Sequence, residues 1–407
     1  MTDLLRWMDD HSGPEWIWSV KYLSANDTYA KTNVHQGGPH VSRALLAAAF
    51  PRLCERAERE RNPDAQLPAI VDSHSTWHQL RLVWYNSRRA RGQANGRDEA
   101  RLTRWGRMDS PVVAPESTGS LAVFAFHARP GRDAEGLRIW LCRSVEEEVA
   151  VLARVGEVVP GRGIVFPPGA GRAIDGQPAE RDCFLAPDEL PAAWRDRFPT
   201  GEELVQWVLA HRPLRGRSAD ERLMARRSCE YRLFRSVEDA HVLPRIAAGF
   251  RSVDEFVAMA GEILNRRKSR SGRSLELHVR ALLDEAGVPY SWGASTEGNR
   301  VPDFIFPSIE RYRSPDWPAE RLLMLGVKTT CKDRWRQILS EAERIPVKHL
   351  LTLQEGVSVQ QFAEMREQEV RLVVPRPLVR TYPEAVRPEL VSVEYFIHLA
   401  GGLSTNN

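Results

Sequence analysis

The sequence is poor in lysine and in cysteine. Only six of its 57 basic residues are lysines, at positions 21, 31, 268, 328, 332 and 348, and the rest are arginines. The five cysteines form no CxxC pair, which argues against a disulfide framework or a structural zinc site and favours a reducing compartment. A GC-rich genome would explain the arginine surplus, yet arginine also suits phosphate and guanine recognition. The surplus is thus compatible with nucleic-acid binding without showing it.

Long apolar runs are missing as well. No stretch approaches the eighteen or so apolar residues of a membrane span, and the segment MTDLLRWMDDHSG lacks the cationic start and apolar run of a secretion signal. We therefore expect a cytoplasmic protein. Neither GxxxxGK[ST] nor HExxH occurs, which argues against ATP-driven translocation and a zinc-protease helix. With 407 residues, 42% apolar and 27% charged, the chain is predicted to form two or three globular domains.

The spacing of apolar residues changes near the middle of the chain. Residues 1–165 contain short extended segments separated by turns, which predict a β-rich barrel with few helices, chiefly 42–61. Glycine and proline are frequent from 160 to 177, and we predict a hinge at 166–182. The remainder, 183–404, has the pattern of a mixed α/β core. Its predicted helices are 201–211, 219–243, 253–264, one from 274, 333–344 and 358–369, and its predicted strands are one near 290, 301–306, 322–330, 349–353 and 371–374.

An aspartate and a lysine lie on neighbouring predicted strands of this core. Asp303 follows Pro302, and Lys328 lies in the next strand, so the two side chains can converge on one phosphate. A Mg²⁺ site for phosphodiester hydrolysis needs a second carboxylate, usually two residues before the lysine. Position 326 is glycine, so the motif is broken there. Glu341 in the following predicted helix, or Glu276 in the first turn of the helix at 274, offers the missing acid.

The pair alone is a weak signal, because a PD dipeptide and a later VK arise by chance in a strand-end turn and a surface lysine. Two features favour the catalytic interpretation. A compact, titratable ammonium is rare in this chain. Directly after it comes the run KDRWR, at 332–336, whose donors and acceptor can read base edges. The alternative for that run is a solvated helix start with its tryptophan packed inward.

Several separated motifs then resemble one family, the EcoRII restriction endonucleases. They are, in chain order, SANDTYAKTNVHQGG, RLTRWGR, RRSCEYRLF, KSRSGRSLELH, PDF and LGVKTTCKDRWRQIL. The resemblance covers nearly the whole chain. It implies a Mg²⁺-dependent homodimeric type IIE endonuclease that cuts double-stranded DNA before the first C of CCWGG. It also implies a B3-like N-terminal barrel that binds a second, effector copy of the site and blocks the catalytic cleft, and a C-terminal restriction-endonuclease fold.

The resemblance also assigns roles to individual residues. Asp303, Lys328, Glu341 and Glu276 take the active site, with Asp303 and Glu341 as metal ligands. Tyr312 matches a tyrosine once proposed as a nucleophile, although a metal site with a lysine needs only water. Base reading is assigned to Asp333, Arg334 and Arg336, and the pocket for bases turned out of the helix to Arg227 and Tyr231.

Effector-DNA contacts are assigned to a basic stretch of the N-terminal domain. Tyr85 to Arg107 holds seven arginines, which suits a loop that straddles phosphates, although a solvated loop has the same composition. The family pattern implies contacts from His35, Arg97, Glu99 and Arg101. This chain departs from that pattern at four positions, which puts the strength of effector binding in question. They are His40, Asn95, Gly96 and Ala100.

Two function classes follow from these observations. The leading hypothesis is a site-specific endonuclease, paired in the cell with a DNA cytosine methyltransferase that protects the same site. The rival is a DNA-binding regulator that keeps two reading surfaces and has lost hydrolysis. The presence of the aspartate, the lysine and candidate acids favours the enzyme.

Overall fold

The structure is a computed structural model of the chain. It describes residues 2–30, 38–86, 98–106, 109–158, 161, 163–168, 183–332 and 334–403. The chain divides into two compact units. Unit 1 comprises Met1–Pro178 with Gln354–Phe362 and Arg380–Arg387, and unit 2 comprises Ala179–Leu353, Ala363–Val379 and Pro388–Asn407.

Unit 1 is built on a curled sheet that forms a half-barrel, as predicted for the N-terminal region. Its helices are α1 (Thr2–Asp10), α2 (Arg43–Ala49), α3 (Pro51–Ala57) and α4 (Val145–Val155). Its strands are β1 (Trp16–Tyr22), β2 (His40–Val41), β3 (Asp64–Val71), β4 (Thr76–Tyr85), β5 (Glu99–Thr103), β6 (Leu121–His127), β7 (Gly136–Leu141) and β8 (Ile164–Phe166).

The strand order of this sheet is β2-β5-β4-β3-β7-β6-β1-β8. All neighbouring strands are antiparallel except β3 and β7, which are parallel. Strand β6 is buried along almost its whole length, with Val123 facing one apolar cluster and Phe124 the other. Apolar side chains therefore cover both faces of the sheet, and the predicted helix at 42–61 is broken into α2 and α3 at Pro51.

The chain beyond the hinge is mixed α/β, as predicted. Its helices are α5 (Ala192–Asp196), α6 (Gly201–His211), α7 (Ala219–Ala248), α8 (Val253–Glu285), α9 (Ile309–Arg313), α10 (Val359–Glu367), α11 (Arg376–Val379) and α12 (Val393–Gly402). Its strands are β9 (Ser291–Trp292), β10 (Phe304–Phe306), β11 (Leu323–Lys328), β12 (Lys348–Thr352) and β13 (Val370–Val373). They lie in the order β13-β12-β11-β10-β9, parallel from β11 to β13 and antiparallel from β9 to β11.

Three predicted elements differ from the structure. The segments 253–264 and 274 onward are one helix, α8, so Glu276 lies far from any helix start. Residues 265–274 lack an apolar stripe because this part of α8 packs on α7 through ion pairs, such as Arg270 with Glu230 at 2.5 Å. The helix predicted at 333–344 is a 3₁₀ helix over Arg334–Ser340, so Glu341 follows it. Asp303 precedes β10 and does not lie within a strand.

One disulfide bond is present that the cysteine pattern did not predict. Cys183 and Cys229 form a disulfide with a Cα–Cα distance of 5.2 Å, where the segment before α5 packs on α7. Their wide separation in sequence carries no recognisable spacing, so composition alone could not identify the pair. Among the described helices, none is long and apolar enough to cross a membrane.

Candidate active site

Asp303 and Lys328 meet at one edge of the five-stranded sheet. Strands β10 and β11 are antiparallel, with Phe304 opposite Leu325, so the residue before β10 lies beside the end of β11. The Lys328 Nζ donates to Asp303 Oδ2 at 2.9 Å, and the Val327 amide donates to the same oxygen at 2.6 Å. Both side chains remain partly accessible, at 21% for the lysine and 15% for the aspartate. The predicted convergence is therefore present in the structure.

The glycine in place of the usual acid has a steric cause. A Cβ atom at Gly326 would lie 2.8 Å from Cγ2 of Ile338, which is fully buried in the 3₁₀ helix after β11. That helix packs where a side chain at position 326 would stand, and Glu341 follows directly after it. The helix therefore leaves no room for an acidic side chain at position 326, and the residue after the helix, Glu341, offers a carboxyl group instead.

This packing predicts an effect on stability. We expect Gly326→Ala to lower the free energy of unfolding by about 1–3 kcal/mol, because the added methyl group overpacks a filled core. Gly261→Ala in α8 is the matched control, since nothing lies within 4 Å of its added Cβ, and it should be neutral or slightly stabilising. Urea unfolding of both variants measures the difference; equal midpoints would contradict the packing argument.

Burial sets the electrostatics of the two further acids. It raises the pKa of Glu341 to about 7, with the Lys328 ammonium lowering it and the Asp303 charge raising it further. Burial also raises the pKa of Glu276, and the charge of Asp303 adds to that rise. The Oε2 atom of Glu341 is buried and has no hydrogen-bond partner. Glu276 and Glu341 therefore both interact electrostatically with Asp303 and Lys328.

These residues fit a divalent metal ion. Carboxylate oxygens are the ligands that Mg²⁺ prefers, and a buried carboxylate oxygen without a partner is costly unless a cation binds it. Among the described residues, no three His, Cys, Asp or Glu side chains already form a metal cluster. Asp303 instead holds Lys328. Asp303 interacts electrostatically with both Glu276 and Glu341, but the three side chains do not form a closed metal site.

The surroundings of Glu341 contain residues that the sequence interpretation missed. Lys348 in β12 is only 5% exposed, and its Nζ donates to the backbone carbonyl oxygens of Glu341 at 2.6 Å and Ala342 at 2.7 Å. Ala342 has a left-handed backbone with φ of 49°, which these bonds help to hold. Lysine is rare in this chain, but the backbone partners of Lys348 leave no pattern in the sequence that would reveal its role.

Tyr312 lies in α9, in the loop region between the two site strands. Its hydroxyl donates to the Glu297 carboxylate at 2.5 and 2.6 Å and accepts from the Arg344 amide at 3.3 Å. Burial, together with the Glu297 hydrogen bond, raises the pKa of Tyr312 well above its usual range. The structure therefore gives the phenol structural partners and makes its ionisation harder, which disfavours the nucleophile role.

The raised pKa of Glu341 predicts a pH-dependent stability. A carboxyl group with a folded pKa of about 7, against an ordinary value of 4.5, stabilises the fold below 4.5 and loses that contribution as pH rises through 7. We expect Glu341→Gln to raise the melting temperature of metal-free protein more at pH 8.5 than at pH 5. Calorimetry in EDTA measures this difference. A melting-temperature difference that is the same at both pH values would contradict it.

The candidate base-reading residues begin the 3₁₀ helix after Lys328. Trp335 is buried, as the alternative interpretation of this run expected, and the guanidinium of Arg336 lies 4.5 Å from its ring centre. Arg336 also donates to Glu364 at 2.9 Å, while Arg334 starts the helix and is partly exposed. Asp333 lies outside the described residues.

Arg227 and Tyr231 lie on α7, one helical turn apart. Arg227 is buried, and Tyr231 is partly buried beneath the Arg270 guanidinium, 4.8 Å from its ring centre. Arg227 also exerts charge effects on Glu230 and His278. The predicted pair is thus brought together within a buried charged cluster between α7 and α8.

The effector-contact candidates in unit 1 are described in part. Arg101 pairs with Glu99 at 2.5 Å and donates to the carbonyl oxygens of Asn26 at 3.0 Å and Gly38 at 3.1 Å. His40, a departure from the family pattern, pairs with Arg101 across β2 and β5. His35 and Arg97, together with Asn95 and Gly96, lie outside the described residues.

Comparisons with known proteins find one family for the N-terminal part of the chain and one for the C-terminal part. The family described as "Restriction endonuclease EcoRII, N-terminal" matches residues 12–170, and that described as "EcoRII C terminal" matches residues 234–397. The Type II restriction enzyme EcoRII of Escherichia coli is 44% identical over 387 residues, which span 94% of each chain. The chain belongs to the EcoRII family of type II restriction endonucleases. This EcoRII-family protein is therefore a nuclease of a restriction system, and its family uses divalent metal ions.

Solved structures similar to this EcoRII-family enzyme include two restriction endonucleases with DNA. Metal-depleted Ecl18kI in complex with uncleaved DNA is 19% identical, with a TM-score of 0.43, over 55% of this chain and 87% of that one. The PspGI–substrate DNA complex is 14% identical, with a TM-score of 0.43, over 52% and 95%.

Proposed function

We propose that this protein is a Mg²⁺-dependent type IIE endonuclease that cuts double-stranded DNA before the first C of CCWGG. The contact of Asp303 with Lys328, and the electrostatic interaction of both with Glu341, carry the proposal of where hydrolysis occurs. In domain terms, 183–404 is the catalytic domain, 166–182 the linker and 1–165 the effector-DNA domain. The protein would act in the cytoplasm, with a DNA cytosine methyltransferase protecting the same site.

Each residue of the candidate site would have a distinct task. Asp303 and Glu341 would hold the ion, with Glu276 as a further acid, and bound Mg²⁺ would polarise the phosphate and make an attacking water more acidic. Lys328 would turn from Asp303 to the attacking water and would orient it or help to deprotonate it. Lys348 would hold the backbone of Glu341 in place through the two carbonyl oxygens. Tyr312 would keep Glu297 and Arg344 fixed and would not attack the phosphate.

Recognition of the site would depend on the residues that follow Lys328. We assign Arg334 and Arg336, with Asp333, to the C and G base edges, because a guanidinium and a carboxylate are complementary to guanine and cytosine in the major groove. Arg227 and Tyr231 would receive the central bases turned out of the helix. Stacking and hydrogen bonding there would offset an unstacking cost of a few kcal/mol, on the order expected for base flipping.

A second DNA copy would bind at unit 1. Glu99 and Arg101, with His35 and Arg97, are the assigned contacts, and the Arg101 guanidinium is held by the carbonyl oxygens of Asn26 and Gly38. Unit 1 also contains Gln354–Phe362 and Arg380–Arg387, which come from the C-terminal part of the chain. The Ala25 amide, for example, donates to the Thr381 carbonyl oxygen at 2.8 Å. The barrel would inhibit cleavage until effector DNA binds to it.

The assignment as a homodimer is supported by the tip of the α7–α8 hairpin. Six large apolar side chains are exposed there, more than a solvated helix pair usually carries. A second copy of the chain would cover them. They are Leu243, Ile246, Val253, Phe256, Val257 and Leu264.

The test is cleavage of plasmids that carry one or several CCWGG sites, in Mg²⁺, followed by mapping of the fragment ends. We expect discrete cuts before the first C, slow cutting of the one-site plasmid, and acceleration when a short CCWGG duplex is added. Retarded but uncut DNA would instead support a two-site DNA-binding regulator. Cuts at another sequence would keep the nuclease and overturn the assigned site.

A further inference from the structure

The cleft beside Asp303 contains an arginine that has no task in the proposed function. The cleft has a volume of about 330 Å³ and is lined by Arg273, Glu276, Trp292 and the segment from Val301 to Asp303. Arg273 and Glu276 lie at i and i+3 of α8, so one face of this helix borders the cleft. Arg273 therefore lines the same cleft as two acidic residues of the candidate site.

Arg273 is held in position without losing its access to solvent. Its guanidinium lies 4.1 Å from the ring centre of Trp292 and 3.6 Å from the Glu276 carboxylate, yet its side chain is 53% exposed. Trp292 itself bonds to Glu276 through its side chain. A guanidinium stacked on an aromatic ring keeps its hydrogen-bonding edge available, and that edge matches two phosphate oxygens.

DNA bound at this cleft would bring negative charge close to acidic side chains. Asp303 and Glu276 line the cleft together with Arg273. A phosphate of the DNA backbone there would face two carboxyl groups unless a cation lies between them. We propose that Arg273 binds a phosphate of the DNA strand being cut, adjacent to the scissile linkage, and thereby holds that strand against the acids. This inference rests on the proposed function.

The chain contains a matched control for this role. Arg280 also stacks on Trp292, at 4.6 Å, but its guanidinium donates to Glu202 at 3.0 Å and is only 26% exposed. It shares the helix, the ring and the charge of Arg273, and does not line the cleft. Removal of either arginine alters the packing of Trp292, while only Arg273 is placed to contact DNA.

The experiment neutralises one phosphate at a time. Duplexes with the cleavage site carry a single methylphosphonate at each position flanking the cut, and binding is measured in Ca²⁺ for the parent, Arg273→Ala and Arg280→Ala. At one flanking position we expect neutralisation to weaken binding by the parent and by Arg280→Ala about tenfold or more, the size of a lost charged hydrogen bond. Binding by Arg273→Ala should change less than twofold there.

The possible outcomes distinguish failure of the Arg273 role from failure of the proposed function. Equal losses for all three proteins at every position would overturn the role of Arg273, even if the parent cuts DNA normally in Mg²⁺. Failure of the parent to cut any DNA in Mg²⁺ would overturn the proposed function itself. If phosphate neutralisation affected binding by Arg280→Ala as little as binding by Arg273→Ala, the effect would be due to Trp292 packing. That result would also overturn the inference.

Discussion

Asp303→Asn is expected to slow single-turnover cleavage by about 10³-fold or more, the scale on which loss of one essential catalytic group acts. Asparagine keeps an oxygen that accepts from the Val327 amide, so the strand end should hold its geometry. It removes the negative charge that a metal ion and Lys328 require. Quench-flow cleavage in Mg²⁺ measures the rate, and binding in Ca²⁺ should stay within about twofold, because the fold and the reading surfaces remain.

Asp316→Asn provides the control for this change. Asp316 is an exposed acid in the segment between the two site strands, so it experiences a similar charge removal without contacting the site. Its cleavage rate should equal that of the parent. Retained cutting by Asp303→Asn would move the metal site elsewhere, and lost cutting by both variants would point to a general charge effect.

Lys328→Arg is expected to be nearly as damaging, with a loss of about 10²-fold or more, comparable to removal of a general acid–base group. A guanidinium keeps the positive charge, but it cannot give up its proton at useful pH and is too large for the space beside Asp303 Oδ2. Lys328→Met should cost a similar factor. Single-turnover rates of both variants, measured across a pH series, test the role.

The matched substitution is Lys268→Arg, on the exposed face of α8. It makes the same chemical change away from the site and should leave the rate unaltered. If Lys328→Arg cut at the parent rate while Lys328→Met did not, the lysine would supply charge alone and the water-orienting role would be wrong.

How much of this could be predicted depends on which contacts left a pattern in the sequence. Helix α6 was predicted with its observed bounds, 201–211, because its buried apolar residues Leu204, Val205 and Val208 recur at helical spacing. Helix α8 was divided into two predicted helices because its middle is buried through ion pairs such as Arg267 with Glu238, which resemble a polar loop in sequence. Apolar periodicity cannot identify a helix that packs through charge.

The candidate site divides in the same way. Asp303 and Lys328 were predictable because neighbouring strands bring them together at a fixed spacing, and Glu341 because an acid was missing. Lys348 was not, because its partners are backbone carbonyl oxygens, which carry no side-chain signal. Arg273 was missed because its position depends on Trp292, a residue that only the folded sheet places against α8.

The glycine at 326 shows how a broken motif can still be informative. Its small size is required by Ile338, which belongs to the same helix that leads to Glu341. The missing side chain and the displaced acid are therefore two consequences of one packing arrangement. A comparison of sequence motifs alone would report a missing acid at position 326 and would not connect it with Glu341.

The most direct measurement is the anomalous diffraction signal of Mn²⁺ in crystals of the protein with a site duplex that carries a non-hydrolysable scissile linkage. We expect a Mn²⁺ peak bonded to the carboxylates of Asp303 and Glu341, with the Lys328 ammonium turned away from Asp303 toward the phosphate. A Mn²⁺ peak bonded to other side chains, or Lys328 still paired with Asp303 beside bound DNA, would contradict it.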